Sequence, residues 1–125
     1  MIVDTDILIW YLRGRQEAQR FLDSCEPVLL SAVSYMELVQ GMRNARELQV
    51  LRRTLRQRRW QVLPITESIS NRAMTYVEAH FLSGSLQMAD ALIAATCIDH
   101  GLSLATGNVK HYRPVAELAI EAFLV

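Results

Sequence analysis

The chain has 125 residues, 51% of them hydrophobic and 21% charged, and its formal net charge is zero. This is the size of one domain around one core. There is no apolar run of the roughly 18 residues that a membrane-spanning helix requires, and bulk charge does not mark a nucleic-acid binder. The N-terminus runs directly into a strand-like segment, unlike a secretory leader. Cys25 and Cys97 have no CxxC spacing and are expected as two buried thiols of a cytoplasmic protein.

Ile2-Val3 reads as a short buried strand ending at Asp4. Ile7 to Leu12 has helical character and breaks at Gly14. Glu17 to Cys25 places Ala18, Phe21, Leu22 and Cys25 at 3–4 spacing, an amphipathic helix stopped by Pro27. Val28-Leu29-Leu30 is a second buried strand. A helix is expected from Ser34 to about Gly41, then a longer one from Arg46 to Arg59 with Leu48, Leu51 and Leu55 on its inner face. Trp60 to Leu63 is a third strand, closed by Pro64. Glu67 to about Leu82 is helical, Ser83-Gly84-Ser85 is a loop, and Gln87 to His100 is a further helix ended by Gly101. Leu102 to Ala105 is a fourth strand. Leu118 to Leu124, alternating in apolar character, is a fifth at an edge. No repeat or linker divides the sequence, so residues 1–125 are read as a single domain.

Strands alternating with helices predict an α/β fold, a mainly parallel sheet with helices on both faces. In such sheets ligands bind beyond the carboxyl ends of the strands. Asp4 follows the first strand. Glu37 is expected in the first turn of the helix after the second, and Asp90 in the first turn of the helix that leads into the fourth. That helix runs antiparallel to its strand, so its N-terminus shares the carboxyl edge. Thr106 and Asn108 follow the fourth strand. All five residues therefore fall on one rim.

An ionised carboxylate among apolar neighbours is costly unless it is paired, hydrogen-bonded or bound to metal. Asp90 interrupts Leu86-Gln87-Met88-Ala89-Asp90-Ala91-Leu92-Ile93, which is nearly free of polar side chains. Three such acids on one rim ask for a cation, and hard oxygen ligands select Mg²⁺ or Mn²⁺. Asp4 and Asp90 are the candidate ligands. Glu37 either ligates directly or orients a metal-bound water. A metal-activated water attacking a phosphodiester is the chemistry this pattern suggests. Plainer roles stand beside it. Ser34 and Glu37 match a capping box, Asp4 or Asp6 can cap the following helix, and Asp90 suits a helix N-terminal turn. His80, His100 and His111 show no ligand spacing, and His111 is expected at the surface. The 13 basic residues are Lys110 and 12 arginines, five of which fall within Arg52 to Arg59. That cluster is a solvated helix face, a partner surface or an RNA-backbone surface.

Four segments carry a family resemblance. They are Ile2-Val3-Asp4-Thr5-Asp6-Ile7-Leu8-Ile9, Ser34-Tyr35-Met36-Glu37-Leu38-Val39-Gln40-Gly41, Ala89-Asp90-Ala91-Leu92-Ile93-Ala94-Ala95-Thr96, and Gly101 to Tyr112 with Thr106-Gly107-Asn108 at its centre. In this order and spacing the chain resembles the PIN-domain ribonucleases, specifically the VapC-type toxins of toxin–antitoxin pairs. The resemblance implies a three-layer α/β/α sandwich with a parallel sheet of about five strands. It also implies an Mg²⁺- or Mn²⁺-dependent endoribonuclease that cuts cellular RNA such as transfer or ribosomal RNA. The family's core acids carry over onto Asp4, Glu37 and Asp90, and its hydroxyl onto Thr106. Many members have a further acid where this chain has Asn108, which implies weaker hold on a second metal. Asp6, often neutral in relatives, either adds charge near the metal or caps a helix. A cognate VapB-type antitoxin and a homodimer are the implied partners.

Three other readings compete. Asp4-Thr5-Asp6 matches the nucleophile motif of haloacid-dehalogenase-type phosphatases, but Lys110 is the sole lysine and no late acidic pair exists. A response-regulator receiver domain needs an aspartate after the third strand, where this chain has Leu63-Pro64-Ile65-Thr66. A non-catalytic PIN-like module that only binds RNA or protein is the main alternative, and retention of all three acids weighs against it.

Overall fold

The structure is a computed structural model and describes residues 1–25 and 27–123. Five strands form one parallel sheet: β1 (Ile2–Val3), β2 (Leu29–Ser31), β3 (Gln61–Leu63), β4 (Leu104–Thr106) and β5 (Ile120–Ala122), in the order β3-β2-β1-β4-β5. The helices among the described residues are α1 (Thr5–Leu12), α2 (Gln16–Ser24), α3 (Ala32–Gln40), α4 (Ala45–Gln57), α5 (Glu67–His80), α6 (Met88–Asp99) and α7 (Val109–Tyr112). None of them is long and apolar enough to cross a membrane.

Side chains alternate between the faces of a strand, and here that alternation makes the layers. Ile2 and Leu104 pack with Ile69, Ala73, Ile93 and Ala94 of α5 and α6 on one face. Their neighbours Val3 and Ala105 pack with Ile7, Leu8, Leu22 and Leu51 of α1, α2 and α4 on the other. The result is the expected α/β/α arrangement. Cys25 and Cys97 are both buried and free. Burial pushes the Cys97 thiol up to about 12, so it packs as a small apolar side chain.

Several boundaries differ from the sequence expectation, each for a local reason. α1 begins at Thr5 rather than Ile7, because the Asp4 carboxylate accepts the Thr5 N–H and caps the helix. α3 begins at Ala32 rather than Ser34, because the Ser31 hydroxyl accepts the Val33 N–H. The fourth strand starts at Leu104 rather than Leu102. Gly101, at φ +65°, turns the chain left-handed so that its own N–H reaches Ile98 and the Leu102 N–H reaches Cys97. That is a Schellman ending, and it uses the residues read as the start of the strand. α5 ends at His80, two residues short of Leu82. The short helix α7 was not expected. β5 lies at the sheet edge as read, within the predicted span, and Leu124 lies outside the described residues.

Chain order reverses at β1: β2 and β3 follow on one side, β4 and β5 on the other. The crevice beyond β1 and β4 is therefore the switch point where open α/β sheets bind ligands. Asp4 leaves β1 there, and Thr106 closes β4 beside it.

Candidate active site

Asp4 is the centre of the rim and is only 4% exposed. Its Oδ1 accepts the Thr5 N–H at 2.8 Å and the Tyr112 hydroxyl at 3.0 Å, and its Oδ2 accepts the Thr106 hydroxyl at 2.7 Å. Burial raises its pKa to about 6 from 3.8, against these hydrogen bonds and with help from the charge of Asp6. Burial and the adjoining carboxylates, Asp4 foremost, push the Tyr112 phenol far above its usual range. The phenol therefore stays protonated and can only donate toward an acid. A carboxylate offers about four lone-pair positions. Three are filled here, and the open one is on Oδ2.

Thr5 ties the second acid to the first. Its hydroxyl lies 2.7 Å from Glu37 Oε1 and 2.9 Å from the Ser34 hydroxyl, between α1 and α3. Because α3 starts at Ala32, Glu37 sits in the second helical turn, not the first, and Ser34 is not a cap. The capping-box alternative for Ser34 and Glu37 is thereby removed. Asp90 sits in the first turn of α6, where its Oδ2 accepts the Gln87 N–H at 3.2 Å. Its helix-terminal role is thus present, alongside a position facing the other acids. Burial raises its pKa and the charge of Glu37 adds to this, whereas the Gln87 bond and His111 oppose it. His111 is surface-exposed as expected, yet its Nδ1 is 4.0 Å from Asp90 Oδ2.

Asp6 has a role of its own. Oδ1 accepts the Ile7 N–H at 2.8 Å, and Oδ2 accepts the Gly107 N–H at 2.9 Å. A Cβ at Gly107 would stand 2.8 Å from that Oδ2 and 2.9 Å from the Trp10 ring. Only glycine allows the loop after β4 to lie this close. The loop then turns so that the Asn108 N–H donates to the Thr106 hydroxyl at 2.9 Å. The Asn108 side chain is exposed and caps nothing, so the residue meets the site through its backbone.

The five expected residues Asp4, Glu37, Asp90, Thr106 and Asn108 thus gather at one place. Thr5 and Tyr112 were not singled out from the sequence. The signal for Tyr112 is its spacing from Thr106, six positions on, which a short helix converts into a second hydroxyl over Asp4. No arginine or lysine forms an ion pair with Asp4, Asp6, Glu37 or Asp90 among the described residues, so their charge is left for a bound cation or for protons. Among the described residues no three acidic, histidine or cysteine side chains stand together in an arrangement that could hold a metal ion. Mg²⁺ does not need three, since it uses one or two carboxylates and keeps several waters. The hard-oxygen donor set and the open lone pair of Asp4 fit such an ion.

A family model described as PIN domain matches residues 1–117. Ribonuclease VapC10 of Mycobacterium tuberculosis is 39% identical over 116 residues, spanning 90% of this chain and 85% of that protein. A chain of a toxin–antitoxin complex from Klebsiella pneumoniae superposes with a TM-score of 0.82 at 26% identity, covering 99% of this chain and 98% of that one. VapBC-1 from nontypeable Haemophilus influenzae shares the fold, with a TM-score of 0.79 at 22% identity over 97% of this chain and 96% of that one. A switch-point crevice lined by carboxylates and hydroxyls is thus joined to a match over nearly the whole sequence, and the chain belongs to the PIN-domain family, in the company of the VapC ribonucleases.

Proposed function

We propose that the chain is an Mg²⁺- or Mn²⁺-dependent endoribonuclease toxin that hydrolyses phosphodiester bonds of cellular RNA and is restrained by a cognate antitoxin. The observation that carries this is the Asp4 carboxylate. It is buried, held by three hydrogen bonds, left with one open lone pair, and accompanied by further acids that no arginine or lysine pairs among the described residues. The named activity of the Mycobacterium tuberculosis relative supports RNA as the substrate. Transfer and ribosomal RNA are the substrate classes to try first. The toxin–antitoxin complex and VapBC-1 among the structural relatives support an antitoxin, of the VapB type in this reading. A homodimer is the assembly proposed for the free toxin, and the cytoplasm its compartment.

In this reading Asp4 and Asp90 would hold the cation, and Glu37 would hold it directly or through a water. The cation would lower the pKa of water and neutralise charge that builds on the phosphate oxygens. The residues of the chain do the positioning. Thr106 and Tyr112 fix the Asp4 carboxylate so that its open lone pair is presented and its other positions are closed. Thr5 keeps Glu37 turned toward that carboxylate rather than free on the exposed face of α3. The Asn108 N–H, held on the Thr106 hydroxyl, fixes the loop beside Asp4.

The test is incubation of the purified protein with total cellular RNA and Mg²⁺ or Mn²⁺, with the product ends mapped. Discrete cuts leaving 5′-phosphate and 3′-hydroxyl ends, lost with EDTA and in Asp4→Asn and Asp90→Asn, are expected. Metal-independent cuts leaving cyclic phosphate would overturn the carboxylate mechanism. Binding without cleavage by the folded protein would return the chain to the binding-module reading.

A further inference from the structure

A site built from four acids must still draw in a polyanion. The attraction has to come from elsewhere on the surface, and the chain is neutral overall, so its positive charge matters by where it is concentrated. Helix α4 is that place. Its inner face is apolar, with Leu51 fully buried and Leu48 and Leu55 half-buried. Its outer face carries Arg46, Arg52, Arg53 and Arg56, all exposed. These four make no ion pair among the described residues, whereas Arg43 is held by Glu47 at 2.9 Å and Arg58 by Asp23 at 2.6 Å. Arg46 and Arg53 are two helical turns apart, about 10 Å along the axis, and Arg52 and Arg56 form a second row beside them.

This face is continuous with the acidic rim. A groove of about 580 Å³ is lined by the charged Arg13, Glu37 and Arg46 together with the apolar Leu12, Leu38 and Met42. One lining residue, Glu37, is tied to Asp4 through Thr5, and another, Arg46, belongs to the arginine face of α4. We propose that the arginine face of α4 is the surface that holds the phosphates of the RNA strand leading into the acidic site. This rests on the ribonuclease reading above. Arginine suits the task because its planar fork binds two phosphate oxygens at once and never deprotonates. The apolar groove beside this face suits a protein segment, whereas the face itself offers four exposed guanidinium groups with no ion pair among the described residues, the charge complement of a phosphate backbone.

The test uses the full chain carrying Asp4→Asn, in EDTA, so that RNA is bound but not cut. Affinity for a fluorescently labelled single-stranded RNA is measured over a series of NaCl concentrations. Each phosphate contact contributes roughly 0.7 to the slope of log K against log salt for a single strand. The pair Arg46→Gln with Arg53→Gln is expected to lower the slope by about 1 and to weaken binding about tenfold at low salt. Arg52→Gln with Arg56→Gln is expected to act alike, and Arg20→Gln on α2 to leave both unchanged. Glutamine keeps helix propensity, and circular dichroism verifies the fold. With Asp4 restored and metal present, the same variants should raise KM for RNA and leave kcat unaltered. A parent that binds and cuts RNA, with variants of unchanged slope and KM, overturns the proposal alone and leaves the face to a protein partner or to solvent. A parent that neither binds nor cuts RNA overturns the ribonuclease reading and the proposal together.

Discussion

Thr106 donates its hydroxyl to Asp4 across 2.7 Å, joining the ends of two neighbouring strands that are 102 residues apart in the chain. The same hydroxyl oxygen accepts the Asn108 N–H at 2.9 Å. One threonine therefore orients the central carboxylate and folds the loop beside it. Thr106→Val keeps the shape and removes both bonds. We expect a 10–100-fold loss of divalent-cation affinity, the usual cost of removing an outer partner of a metal-binding carboxylate. Thr106→Ser should retain most of the affinity. Mn²⁺ titration of the two variants checks this.

Tyr112→Phe is the complementary change. It deletes the 3.0 Å bond to Asp4 Oδ1 and keeps the buried ring, which is 1% exposed. Cleavage should fall at least tenfold. Folding stability should change by only about 1 kcal/mol, the net value of one hydrogen bond. A larger loss of stability than of activity would show the hydroxyl to be structural alone. Kinetics and thermal melts on the same preparation separate the two.

The folded pKa of Asp4, about 6, lies above its ordinary 3.8. Asp4 then holds its proton more tightly in the folded state, so the stability it contributes is fully present below about pH 4 and is lost as pH rises through 6. At neutral pH the ionised carboxylate costs the metal-free fold about 3 kcal/mol. Asp4→Asn should therefore melt higher than the parent at pH 7.5 in EDTA, with the gap closing toward pH 4. Added Mn²⁺ should raise the melting temperature of the parent and not that of the variant.

Gly107 and Asp6 make a lock that tolerates no Cβ. Gly107→Ala drives a methyl to within 2.8 Å of the Asp6 carboxylate and 2.9 Å of Trp10. We expect a loss of about 1–3 kcal/mol, as for an overpacked site, together with a fall in kcat as the Thr106–Asn108 loop shifts. Asp6→Asn offers one acceptor oxygen to two N–H donors, so it loses either the Ile7 or the Gly107 bond and should cost about 1–3 kcal/mol. Asp6→Ala with Gly107→Ala should recover part of the single-variant loss. Chemical denaturation of the parent, Asp6→Ala, Gly107→Ala and the double variant gives the cycle.

The fold was legible because buried strands, amphipathic helices and Gly or Pro stops alternate cleanly along the chain. The rim followed from topology, since a helix entering a parallel strand must begin at that strand's carboxyl edge. Asp4 and Asp90 could be placed together on that argument. Capping by Asp4 was among the roles open from the sequence, but capping by Ser31 was not, and it starts α3 two residues early and puts Glu37 a turn deeper than expected. Thr5 is a short polar residue after the first acid, and its bond to Glu37 spans 31 intervening positions that no local pattern reports. Tyr112 has the look of a core aromatic, and only the turn of α7 brings its hydroxyl to Asp4. Asp6 reaches a backbone N–H 101 residues away, a purely tertiary contact.

The most direct test of the central claim is equilibrium binding of Mn²⁺ to the protein freed of any partner, followed by electron paramagnetic resonance in the parent, Asp4→Asn and Asp90→Asn. A saturable site in the parent that is lost in Asp4→Asn and weakened in Asp90→Asn is the predicted result. Equal Mn²⁺ binding by all three folded proteins would contradict the assignment of these carboxylates as the metal site.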